Sequence, residues 1–205
     1  MPDVSEVFSE EVAARVYRFR KRFVWLVVFC LFVVQAVPAY SGEATISDLV
    51  VSAGKRDLLV YFRVNDCFTQ KMEEAILAGI PTTFTFLLEL YRVRFLWFDK
   101  KLVEGETKHT VKYDTVKKTF YVTFSKGGRG TLEFTDFESA KKAMEEVNAA
   151  ALLPLNKLER NRRYYVRVKA RLDKVRLPLG MEYVFFFVSL WDFETDWYRQ
   201  DFIYR

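Results

Sequence analysis

From Thr45 onward, short runs of alternating apolar and polar residues carry the period of two that marks half-buried strands. ATISDLVVSAG and DLLVYFRVND flank a turn at Gly54, and Leu58, Val60, Phe62 and Val64 share one face, which predicts a hairpin. DCFTQKMEEAILAG then changes to a helical period. Asp66 or Thr69 is the expected cap, Met72, Ile76 and Leu77 form the apolar side, and Gly79 is the stop, with Pro81 preventing continuation. Thr82 to Phe98 contains neither Gly nor Pro and is apolar at nearly every place, so it predicts a long strand buried on both faces. Its alternation slips near Arg92 and Arg94, where a bulge or a passage to the rim is expected.

ETKHTVKYD and KTFYVTFS alternate around a loop at residues 115–117, and GGRGTLEFTD adds a turn and a short strand, continuing an antiparallel meander. TDFESAKKAMEEVNAAALL reads as a helix. Thr135 and Glu138 stand at capping-box spacing, and Phe137, Ala140, Met144, Val147 and Ala151 form its stripe. RYYVRVKARLD is the clearest strand, with Tyr164, Val166, Val168, Ala170 and Leu172 inward and Tyr165, Arg167, Lys169, Arg171 and Asp173 outward. MEYVFFFVSLWDF reads as a further buried strand, and ETDWYRQDFIYR is an aromatic, charged tail. The expected fold class is α+β: mainly an antiparallel sheet or sandwich of about seven to nine strands with two packed helices.

The front of the chain follows another rule. Residues 1–22 end in RVYRFRKR, a basic segment expected to stay in the cytoplasm. Residues 23–41 open with the apolar FVWLVVFCLFVV and close with AVPAYS, the order of a signal peptide or signal-anchor helix. The α+β domain, residues 43–205, is then expected to be exported across the inner membrane and to be periplasmic, free or held by that helix.

Composition sharpens this picture only at a few points. Aromatic residues are 17% of the chain, a bias toward pleated surfaces. The formal charge of +5 matters where cations cluster, between Lys157 and Arg176. Arg163, Arg167, Lys169, Arg171, Lys174 and Arg176 form the candidate interaction surface, suited to phosphate headgroups or an acidic protein, against the plainer reading of a solvated sheet face or an edge that charge protects from pairing. Of the two cysteines, Cys30 falls in the leader, which leaves Cys67 without an intrachain partner. The single histidine, His109, stands near no nucleophile motif and reads as half-buried and structural. Asp192, Glu194 and Asp196 alternate but lack a calcium-loop glycine, so surface charge is the stronger reading. No cofactor, metal site or catalytic constellation is implied, and an exported domain is not expected to meet nucleic acid.

Several segments carry a resemblance: EATISDLVV, NDCFTQKMEEAILAGIPTTFTFLLEL, KHTVKYDTVKKTFYV, YYVRVKARLDKVRLPL and FFFVSLWDFETDW. Together they resemble the bacterial domain-of-unknown-function family numbered 4390. The resemblance implies an exported single domain, sometimes encoded beside sensor histidine kinases, and it carries no catalytic residue across. A non-enzymatic interaction or sensory accessory module of the envelope, with a partner such as a sensor kinase, is the leading expectation. A carrier of a lipid or other hydrophobic ligand is the alternative, which requires a closed cavity between the long strand and a helix.

Overall fold

The computed structural model describes residues 44–126, 130–173 and 193–205. The leader, Lys174, Arg176, Asp192 and all but the last residue of the expected strand at 181–193 lie outside them. Gly42–Arg205 is one compact unit. Its strands are β1 (Thr45–Ala53), β2 (Asp57–Asn65), β3 (Thr82–Arg92), β4 (Lys100–Asp114), β5 (Thr119–Phe124), β6 (Thr131–Phe134), β7 (Glu146–Pro154), β8 (Arg162–Leu172) and β9 (Tyr198–Tyr204). Two α-helices accompany them, α1 (Gln70–Leu77) and α2 (Phe137–Glu145).

The strands form two antiparallel sheets, ordered β1-β2-β7 and β6-β5-β4-β3-β8-β9. The α+β class read from the sequence is the fold observed. Phe84, Phe86, Leu88 and Leu90 of β3 point inward with Leu172, Ala170, Val168 and Val166 of β8 opposite them. The small Ala170 leaves room for the Phe86 ring. Phe62 of the three-stranded sheet meets that ring edge-on at 5.7 Å, so the two sheets share one core. Burying such aromatic side chains supplies roughly 1.5–3 kcal/mol apiece.

Local chemistry sets the element ends. The Thr69 hydroxyl accepts the Met72 amide and caps α1, while Gly79, at φ +88°, adopts a left-handed conformation that lets the next amide, of Ile80, reach back to the Ala75 carbonyl. The Asp114 carboxylate accepts the Val116 and Lys117 amides and builds the β4–β5 turn.

Four expectations change. The helix begins on Asp136, one residue beyond Thr135, because the Asp136 carboxylate accepts the Ser139 amide at 2.8 Å. It ends at Glu145, and the alanine-rich stretch expected to continue it is instead β7. β2 has β1 along one edge only, and the backbone bonds that β7 offers the other edge outweigh the intrinsic preference of alanine for helix. An extra residue in β7 between Val147 and Ala150 puts Ala149 at φ +57°.

The long strand stops at Arg92, and residues 93–99 are the connection to β4. The Arg94 amide donates to the Asp99 carboxylate at 3.1 Å and closes that loop. Nor is β3 apolar on both faces. α2 packs on the inner side, where the second sheet also lies, and Thr83, Thr85, Leu87, Glu89 and Tyr91 look outward. The phenylalanines of β3 itself, Phe84 and Phe86, face the core.

Candidate interaction surfaces

The outer face of the six-stranded sheet is organised around Glu89. A carboxylate on the central strand, only 6% exposed, must be paired if it is to stay charged. The register supplies the partners. Arg167 stands directly opposite on β8, and its Nε pairs with one carboxylate oxygen, which also accepts the Tyr91 hydroxyl at 3.0 Å. Lys101 of β4 donates to the other oxygen at 2.5 Å. Burial, the largest influence, would raise the Glu89 pKa, but Lys101, Arg167 and Tyr91 together outweigh it and hold the carboxyl below its ordinary value.

Aromatic rings extend this cluster across the face. Tyr91 and Tyr165, opposite each other in the register, stack at 4.9 Å and 7°. The Arg167 guanidinium lies 4.9 Å from the Tyr91 ring and 4.4 Å from that of Trp197, and Arg199 lies 3.6 Å over Tyr165. The Tyr165 hydroxyl is raised, mainly by burial and further by the nearby Asp99 carboxylate. At the other end of β3 the Thr85 hydroxyl and Lys108 hold Asp173, at 2.6 and 2.9 Å.

Two residues of the basic row read from the sequence, Arg167 and Lys169, are engaged within the molecule. Arg167 is committed to Glu89 and two rings, and Lys169 pairs with Glu194. Arg163 and Arg171 are exposed. Lys174 and Arg176 lie outside the described residues.

Other sequence candidates also find their places. His109 is 1% exposed, set edge-on between Phe86 and Phe124 at 4.8 and 4.7 Å, with Nδ1 3.0 Å from the Met144 carbonyl oxygen. That ring ties the sheet to α2. Cys67 is buried, and burial, reinforced by the Glu145 charge, drives its thiol well above the usual range, so it stays protonated and a poor nucleophile. Glu194 is spent on Lys169, and Asp196 lends its carbonyl to the Thr195 hydroxyl.

Two concavities open among the described residues. A polar cleft of ≈ 490 Å³ lies between β2 and α2, lined by Arg63, Asp66, Lys141 and Glu145 among others. A more apolar pocket of ≈ 290 Å³ lies where Ala44 and Ile46 of the first strand region approach Trp197 and Tyr198. Among the described residues no helix is long and apolar enough to cross a membrane.

Sequence reasoning missed two features. Glu89 was legible as a lone acid inside an apolar run, which demands a partner. The run Phe95 to Phe98 was counted as strand, although the cations at Arg92, Arg94, Lys100 and Lys101 on either side of it were the available sign of a loop.

The fold defines an α+β sandwich whose larger sheet turns a charged, aromatic face outward. The chain belongs to the family Domain of unknown function (DUF4390), whose model matches residues 41–201. No curated protein and no solved structure matches it.

Proposed function

We propose that this chain is a non-enzymatic interaction module of the cell envelope, exported behind its apolar leader, that receives a partner protein on the outer face of the six-stranded sheet. The observation that carries this reading is the interlocked set of Tyr91, Tyr165, Trp197, Arg167 and Arg199. Stacking and ion pairing hold these large side chains in place before any partner arrives, which lowers the ordering cost of association. Tyrosine, tryptophan and arginine are also the residue types that dominate binding energy at protein interfaces.

The test is a photo-crosslinking side chain placed in intact cells at Leu87 and Ile203 on this face, and at the exposed Val50 of the other sheet. Discrete adducts from the first two and none from Val50 are expected. Equal adducts at all three positions, or none at any, would refute the assignment. The pocket beside Ala44, Ile46 and Trp197 favours a second reading, a binder of a hydrophobic ligand. Lipid co-purifying with the wild-type chain and lost from Ile46→Trp, detected by mass spectrometry, would select it.

A further inference from the structure

Folding has no use for the side chains at the tip of the β3–β4 loop. Phe95, Leu96, Trp97 and Phe98 are 97%, 82%, 78% and 95% exposed, four consecutive large apolar residues turned away from the core. The Asp99 carboxylate, accepting the Arg94 amide, closes the base of the loop and projects its tip beyond the strand ends. Single exposed hydrophobic residues are ordinary, but a contiguous group of this size marks a contact surface.

The charges behind the tip say what the surface meets. The register sets Arg92 opposite Lys100 on β4, and the Val93 amide donates to the Arg163 carbonyl, which brings the start of β8 to the same end of the sheet. Arg92, Arg94, Lys100, Arg160, Arg162 and Arg163 thus surround the base of the loop. The acids there are occupied: Glu159 pairs with both Arg92 and Arg162, and Asp99 holds the Arg94 amide. An apolar tip with tryptophan and phenylalanine, backed by a collar of excess positive charge, matches the layers of an anionic bilayer surface. Rings settle at the acyl–headgroup boundary, and cations meet phosphates one layer out. A protein pocket would also accept the rings, but interface cores are depleted in charge, and here the cations stand directly behind them.

We propose that residues 93–99 form a membrane-docking loop that inserts its Phe-Leu-Trp-Phe tip into the surface of a bilayer containing anionic lipid. This does not depend on the partner assigned to the outer sheet face. It adds a second membrane attachment to the one expected from the leader, and it would fix the orientation of the domain over the bilayer.

The experiment uses the full chain carrying Cys30→Ser and Phe95→Cys, labelled with an environment-sensitive fluorophore and reconstituted in phosphatidylcholine vesicles with or without phosphatidylglycerol. Cys67 is buried and stays unlabelled. Blue-shifted emission quenched by bromine-bearing acyl chains is expected only with the anionic lipid. Arg94→Gln with Lys100→Gln should reduce the bilayer-inserted fraction of the label at position 95 roughly tenfold or more. A label in place of Val116, 90% exposed in the β4–β5 turn and roughly 45 Å away along β4, should stay in water. Solvent-like emission from position 95 in both vesicles would overturn the proposal. So would shielding of that label without lipid, which would mean the loop is seated in protein, or quenching equally strong without phosphatidylglycerol, which would remove the role of the collar.

Discussion

Replacing Glu89 by glutamine tests whether the charged centre of the outer face stabilises the sheet. Glutamine keeps the size of the side chain and removes its charge, leaving Arg167 without its counterion and Lys101 with Glu104 alone. Removing one member of a fully buried ion pair costs about 3–5 kcal/mol, because the other charge stays buried and uncompensated. Here Arg167 and Lys101 are 34% and 41% exposed and can turn toward water, so the expected loss is smaller, about 1–3 kcal/mol. In a domain of this size that lowers Tm by roughly 5 °C. The pH dependence gives a sharper signature. The folded-state pKa of Glu89 lies below its ordinary value of 4.5, so its contribution is fully present above about that pH and disappears as the pH falls through the folded value. Urea unfolding of wild type and Glu89→Gln at neutral pH should therefore show a gap that closes in acid. A gap of constant size, or none at neutral pH, would refute the account of this cluster.

Four further outcomes are expected. Phe86→Ala, which opens a cavity beside Phe62 and His109, should cost about 3–5 kcal/mol by chemical denaturation. Ala149→Gly should raise stability by about 0.5–1 kcal/mol, because glycine occupies a φ of +57° without the steric penalty that alanine carries there. Asp136→Ala should cost about 1 kcal/mol through the lost helix cap, and Asp136→Ser should recover most of it. Iodoacetamide should label Cys67 only as fast as the domain opens; rapid labelling under native conditions would contradict its burial.

What the chain states locally and what it leaves to its neighbours separate cleanly at particular residues. The hairpin β1–β2, the helix capped by Thr69 and stopped at Gly79, the Asp114 turn and the two faces of β8 were all legible in the sequence. Each depends on a period or a turn residue acting within a few positions. The conversion of Ala150 and its neighbours from helix to strand was not legible, because it is decided by the open edge of β2, more than eighty positions earlier in the chain. The aromatic–cation face was half legible: Arg167 was seen to point outward, but its commitment to Glu89 and Tyr91 comes from the β3–β8 register. The end of β3 was misread for the same reason, since composition cannot distinguish an apolar residue that finds cover from one that does not. Phe86 and Phe98 look alike in the sequence. Tertiary structure buries the first against a second sheet and leaves the second in water, because only the packed molecule determines where its own surface ends.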